Sequence, residues 1–76
     1  MKELQPEKRE HIMDVAEKLF AENGYDAAST RKIASEANVN SAMIAYYFGS
    51  KEELYKSIIL RRIISLKSDK NITENK

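Results

Sequence analysis

The chain has 76 residues, and its 13 Lys and Arg residues nearly balance 12 Asp and Glu residues, giving a formal net charge of +1. A chain of this length forms one small domain, which buries only about 60% of the surface that its unfolded form exposes. The absence of cysteine excludes disulfides and thiolate metal sites, and a single histidine builds neither a metal site nor a catalytic triad.

The sequence shows neither a membrane span nor a targeting signal. No apolar run approaches the roughly 20 residues that a transmembrane helix needs, and no signal-peptide pattern opens the chain, so we expect a cytoplasmic protein. From Asp26 to Lys51 there are three cations and, after Asp26, only one acid, Glu36. This distribution favours a modestly basic face, whereas the charged stretch around His11 favours a solvated position for that side chain.

The first predicted helix begins at Pro6 or Glu7 and ends at Asn23. Proline suits the first helical position because its missing N–H would be unpaired there in any case. Gly24 ends the helix, since glycine readily takes the left-handed conformation of a C-terminal cap. Apolar residues at the spacing of one buried helix face are Ile12, Val15, Ala16, Leu19 and Phe20.

Two short helices are predicted next. Ser29 is the expected N-cap of the second helix, and Asn38 follows that helix because asparagine tolerates a positive φ angle. Either Asn40 or Ser41 caps the third helix, which ends around Gly49. The buried residues of the second helix are Ile33, Ala34 and Ala37, the last of which lies near its end.

A fourth helix begins at a capping box, in which Ser50 is the cap and Glu53 stands three residues later. Its predicted buried residues are Leu54, Tyr55, Ile58 and Ile59. We therefore predict an all-α fold with a three-helix bundle over residues 1–50, a linking helix over residues 51–67 and a polar, disordered tail over residues 68–76. No strand or repeat is predicted.

The second and third helices resemble a helix-turn-helix. A tight turn between steeply crossing helices needs a small side chain at the crossing and a residue that accepts the turn. Ala34 and Asn38 meet these needs, and Val39 and Ile44 close the corner. An ordinary helical hairpin in a small bundle would satisfy the same pattern.

The face of the 41–47 helix is the second indication of function. If Ile44 and Phe48 face the core, the remaining surface consists of Ser41, Ala42, Met43, Ala45 and Tyr46. A solvated helix normally carries Lys, Glu or Gln at such positions. Small and apolar side chains suit the floor of a DNA major groove, where they meet thymine methyl groups, or else a second protein domain.

Cations at helix N-termini are the third indication. Arg31 and Lys32 lie in the first turn of the second helix and Lys51 opens the fourth, where a positive charge is unfavourable by about 0.3–1 kcal/mol. A bound phosphate would reverse this penalty, and hydroxyl groups commonly add phosphate contacts. Such hydroxyls are available on Thr30, Tyr46 and Tyr47. The alternative is simple solvation, with the two glutamates after Lys51 offsetting its charge.

Three segments carry a resemblance to a known family. They are Ile12 to Tyr25, which ends Ala-Glu-Lys-Leu-Phe-Ala-Glu-Asn-Gly-Tyr, then Ser29-Thr-Arg-Lys-Ile-Ala34, and Tyr46-Tyr-Phe-Gly-Ser-Lys-Glu-Glu-Leu54. In order and spacing they resemble the DNA-binding domain of the tetracycline-repressor (TetR) family of bacterial transcriptional regulators. The resemblance implies a third helix that reads the major groove and a fourth that leads to a domain which binds a small effector and forms a homodimer.

The resemblance also implies roles for individual residues. Positions that usually hold phosphates correspond to Thr30, Tyr46, Tyr47 and Lys51. Positions that approach base edges correspond to Arg31, Ser41, Ala42, Met43 and Ala45. Two positions depart from the family pattern, which often has an aromatic residue at Ala45 and glycine at Asn38. No cofactor or metal is implied.

The family resemblance implies a second helical domain, so this chain is expected to be an isolated DNA-binding domain or a truncated regulator. Apolar residues that would then lack partners are Ile63, Ile64 and Leu66. The predicted function is sequence-specific binding to operator DNA by a TetR-like regulator. The family resemblance implies that this regulator is a repressor. The alternative is a protein-interaction module that docks a partner helix. An enzyme is not expected, because no nucleophile–base pair is visible.

Overall fold

The computed structural model describes the backbone of residues 6–74 and the side chains of residues 6–67. This part of the chain forms four helices: α1 (Pro6–Asn23), α2 (Thr30–Ala37), α3 (Ser41–Phe48) and α4 (Lys51–Glu74). Their number and order confirm the predicted all-α fold. None of the helices within residues 6–74 is both long and apolar enough to cross a membrane.

A single core lies where the helices meet. α1 packs against α2 and α4, and α3 packs against α2 and α4, so each helix has two main neighbours. The buried residues are Ile12, Met13, Ala16, Leu19, Phe20, Ala28, Ile33, Ala34, Ala37, Ile44, Leu54 and Ile58. Val15 and Phe48 are partly buried at the edge of this cluster. Met13 was not predicted to be buried; it lies inside because α1 packs on two neighbours and needs a wider apolar face.

The buried face of α4 is narrower than predicted. Leu54 and Ile58 are buried as expected, but Tyr55 is 37% exposed and Ile59 is 42% exposed, so their predicted burial is wrong. One residue along a helix turns the side chain by about 100°. With Leu54 and Ile58 facing the core, their successors lie at its edge and stay partly exposed.

The length of α4 also differs from the prediction. The helix continues through Glu74, so the backbone of residues 68–74 is helical where the sequence predicts a disordered tail. The reason is that no glycine or proline follows Gly49 to end the helix. Residues 1–5 of the predicted bundle and residues 75–76 of the predicted tail lie outside the described part of the chain.

An ionic cluster fastens α4 to α1. The Arg61 guanidinium donates through Nη1 to Glu10 at 2.7 Å and to Asp14 at 3.0 Å, and through Nη2 to Glu17 at 2.9 Å. Arg62 donates through Nε to the second oxygen of Glu17 at 2.6 Å. The hydrogen bond from Arg62 lowers the pKa of Glu17 below its usual value of 4.5, against partial desolvation and with help from Arg61.

Candidate nucleic-acid interface

The turn between α2 and α3 is closed by backbone hydrogen bonds. Asn38 adopts the left-handed conformation, with φ 61° and ψ 44°, as the sequence predicts. The Val39 N–H donates to the Ala34 carbonyl at 2.9 Å, and the Asn38 N–H donates to the Ser35 carbonyl at 3.2 Å. This is the Schellman arrangement, which satisfies the last carbonyls of α2 and fixes the direction in which α3 leaves.

His11 supports the same end of α2 from across the bundle. Its Nε2 lies 3.1 Å from the carbonyl oxygen of Ala37. A carbonyl only accepts hydrogen bonds, so Nε2 carries the proton in this contact. The side chain is exposed, as predicted, and it also ties α1 to the helix-turn-helix.

The start of α3 resolves the choice between its two candidate caps. Oδ1 of Asn40 accepts from the Ala42 N–H at 2.8 Å, so Asn40 is the N-cap and Ser41 is the first helical residue. Ile44 is 1% exposed and anchors α3 in the core, as predicted. This single buried anchor leaves most of the α3 surface facing outward.

The outward face of α3 contains the expected groove residues. Ser41, Ala42 and Ala45 are exposed, and Met43 is half-buried. Tyr46 is also exposed, at 58%, and its ring lies 5.6 Å from the ring of Tyr47. α3 carries no Lys, Arg, Asp or Glu at all. The result is a narrow surface of small and apolar side chains that no other described helix covers.

Tyr47 differs from Tyr46 in its surroundings. It is half-buried and its ring packs against the core cluster. The two tyrosines therefore differ in burial, although both were predicted to contact phosphates. A ring held by the core gives Tyr47 a fixed position.

The start of α2 presents the first pair of cations. Oγ of Ser29 accepts from the Lys32 N–H at 3.0 Å, which confirms Ser29 as the N-cap. Arg31 and Lys32 are exposed and Thr30 is half-buried. The cap satisfies one N–H of the first turn, and the two cations lie at the positive end of the helix.

The start of α4 presents Lys51 in a defined environment. Its Nζ lies 4.2 Å from the centroid of the Tyr25 ring and donates to the Asp26 carbonyl at 3.5 Å. Oγ of Ser50 accepts from the Glu53 N–H at 3.1 Å, as the capping box predicts. The carboxylate of Glu53 lies 3.6 Å from the ammonium of Lys56.

Sequence reasoning missed two features of this region. Arg9 stacks its guanidinium 5.0 Å from the centroid of the Phe48 ring, which brings a cation of α1 to the end of α3. The contact between Tyr25 and Lys51 was missed as well. Neither leaves a signal in the sequence, because each joins residues on different helices or loops that are far apart along the chain.

Comparison with known proteins supplies the family. The model of the bacterial regulatory proteins of the tetR family matches residues 12–58. The transcriptional repressor NicS of Pseudomonas putida is 39% identical over 51 residues, which are 67% of this chain and 24% of NicS. The negative transcriptional regulator IcaR of the Staphylococcus epidermidis biofilm operon is 33% identical over 67% of this chain and 28% of IcaR.

A solved structure shows the same fold. The crystal structure of a linker-substituted mutant of HlyIIR superposes with a TM-score of 0.70 at 44% identity, over 72% of this chain and 30% of that protein. The chain spans about a quarter of the length of the relatives NicS and IcaR. These relatives are named as transcriptional regulators rather than enzymes, in agreement with the prediction. From the family match over residues 12–58, the chain belongs to the TetR family of bacterial regulatory proteins.

Proposed function

We propose that this chain binds operator DNA as part of a transcriptional repressor, with α3 inserted in the major groove. The observation that carries the proposal is the exposed face of α3, which bears no charged side chain although it faces outward. A major groove is wide enough for one helix, and its floor carries thymine methyl groups that match such a face. NicS and IcaR, named as a repressor and a negative regulator, are consistent with repression.

Base recognition is assigned to the exposed part of α3 and to one cation of α2. The proposed groove residues are Ser41, Ala42, Met43, Ala45 and Arg31. Arg31 is the only long basic side chain in this group, so direct hydrogen bonds to bases are few. We infer that methyl contacts and DNA shape supply much of the specificity.

Phosphate contacts are assigned to residues on both sides of α3. The proposed set is Thr30, Tyr46, Tyr47 and Lys51. Lys51 supplies the positive charge of this set, and the other three supply hydroxyl donors. The two tyrosines would contact phosphates differently. Tyr46 is exposed and can extend toward the DNA, whereas Tyr47 is restrained by its packing against the core.

The remaining assignments concern the intact regulator. We propose that residues 1–50 form the reading unit and that the helix from Lys51 leads to a further domain, which binds a small effector and forms a homodimer. Support comes from the exposure of apolar side chains on α4, at 46% for Ile63, 56% for Ile64 and 66% for Leu66. A dimer of this kind binds two half-sites about 34 Å apart.

The test is the affinity of the chain for a mixed-sequence DNA duplex across a series of salt concentrations. Each phosphate contact by a cation contributes about −0.9 to the slope of log affinity against log salt concentration. Lys51→Ala should therefore make the slope shallower by about one unit. Lys67→Ala is the matched control, since Lys67 is exposed on the same helix about 24 Å farther along.

Two results would contradict the proposal. A complex whose affinity does not change with salt would indicate the protein-interaction module instead. Absence of binding at low salt, both for the chain and for a dimerised fusion of it, would remove DNA as the partner. The fusion is needed because a single domain lacks the second half-site contact that strengthens binding.

A further inference from the structure

The ammonium of Lys51 is held from two directions by the loop between α1 and α2. Its Nζ lies 4.2 Å from the centroid of the Tyr25 ring, within the range of a cation–π interaction. It also donates to the Asp26 carbonyl at 3.5 Å. An ammonium has three donors, so one remains for another acceptor when the other two face the Tyr25 ring and the Asp26 carbonyl.

The Tyr25 ring is itself fixed by aromatic neighbours on two helices. It stacks on Phe20 of α1 at 5.5 Å between centroids and meets Tyr55 of α4 edge-on at 4.9 Å. Phe20 and Tyr55 contact each other at 5.2 Å, which closes a cluster of three rings. Stacked and edge-on ring pairs are favourable arrangements, so these contacts favour the ring position that presents a face to Lys51.

A flexible lysine loses rotamer entropy when it contacts a phosphate, and contacts that already restrict it reduce this cost. We propose that Tyr25 is a positioning residue that holds the Lys51 ammonium ready for a DNA phosphate. The inference rests on the proposed function, because it presumes that Lys51 contacts DNA. Tyr25 itself touches no DNA in this scheme and acts only through Lys51.

The experiment is a double-mutant cycle measured as affinity for a mixed-sequence duplex. Tyr25→Leu removes the ring face and keeps an apolar side chain, and it should weaken binding by about two- to fivefold. Tyr25→Phe keeps the ring face and should bind within twofold of the unaltered chain. In a Lys51→Ala background, Tyr25→Leu should cause no further loss, because the group that it positions is gone.

A spectroscopic readout separates positioning from a general role in stability. In the unaltered chain and in Tyr25→Phe, the ring should shift the NMR resonances of the Lys51 methylene protons upfield, and Tyr25→Leu should abolish that shift. If Tyr25→Leu fails to fold, replacing Tyr25 by pentafluorophenylalanine keeps the shape of the ring and reverses its quadrupole. That replacement should weaken DNA binding as Tyr25→Leu would.

The outcomes distinguish this inference from the proposed function. If Lys51→Ala leaves the salt slope unchanged, Lys51 does not contact a phosphate. The phosphate role proposed for Lys51 and the positioning role inferred for Tyr25 are then both overturned. If Lys51→Ala acts as expected but the ring variants bind normally, only the positioning role is overturned. Equal losses from Tyr25→Leu with and without Lys51 would likewise overturn it, since Tyr25 would then act on DNA binding independently.

Discussion

Removing the guanidinium that joins α4 to α1 should lower the stability of the fold. Arg61 contacts Glu10, Asp14 and Glu17, and its own side chain is only 27% exposed. Arg61→Met keeps much of the apolar stem and removes the charge and the hydrogen bonds. Glu10 and Asp14 would then lose their cation and Glu17 would keep only Arg62, so repulsion among the three carboxylates on successive turns of α1 adds to the lost pairing.

The size of the effect follows from the exposure of each partner. Glu10 and Asp14 are 52% and 68% exposed, so their pairs with Arg61 belong at the low end of the range for surface salt bridges. Glu17 is 26% exposed and its pair belongs at the upper end. We expect Arg61→Met to lower the free energy of unfolding by about 1–2 kcal/mol.

The assay is urea denaturation followed by far-UV circular dichroism, at low salt and at about 1 M salt, where the Debye length is about 3 Å. The destabilisation should shrink at high salt because the interaction is largely electrostatic. Lys67→Met is the control, since it removes one positive charge from an exposed position on the same helix. Equal stability of Arg61→Met and the unaltered chain at low salt would refute the reasoning.

The pH dependence of the same cluster has a definite sign. Hydrogen bonding by Arg62 lowers the pKa of Glu17 below 4.5, so this pairing contributes its full stability above pH 4.5. The contribution is lost as the pH falls through the lowered pKa, because the folded state must then protonate a carboxylate that it had stabilised. Arg62→Met should therefore reduce the acid-induced loss of stability, measured as the change in urea midpoint between neutral and acidic solution.

Two further predictions concern the reading unit. Asn38→Ala should destabilise the chain by about 1–2 kcal/mol, since alanine pays the full cost of the left-handed conformation, whereas Asn38→Gly should be tolerated. Thermal unfolding of the two variants checks this, and equal melting temperatures would contradict it. Replacing the thymines of a selected operator by uracil should weaken binding if methyl groups contact α3; unchanged affinity would remove methyl contacts as a source of specificity.

Features that depend on neighbouring residues were predictable from the sequence. The N-caps at Ser29 and Ser50 and the left-handed turn at Asn38 are set by contacts within five residues along the chain, and each occurs as predicted. The ends of α1, α2 and α3 and the start of α4 follow from such local signals. The choice between Asn40 and Ser41 stayed open because both are good caps and only the backbone direction decides between them.

Features that depend on distant residues were not predictable. Met13 is buried although the periodicity of α1 did not place it on the predicted apolar face, and Arg61 reaches carboxylates on α1 that lie between 44 and 51 residues away along the chain. The contact of Lys51 with the loop around Tyr25 belongs to the same class. Such contacts arise from how the helices pack, whereas periodicity reports only which face of each helix is apolar.

The near-neutral charge of the chain is compatible with DNA binding because its acids are compensated within the fold. Arg61 and Arg62 pair with carboxylates of α1, so those acids repel DNA less than their number suggests. The cations at the starts of α2 and α4 are then Arg31, Lys32 and Lys51. If all three of these cations contact phosphates, the slope of log affinity against log salt should be no steeper than about −3. A steeper slope would mean that further cations reach the DNA, and Arg9 beside Phe48 would be the first to replace by alanine.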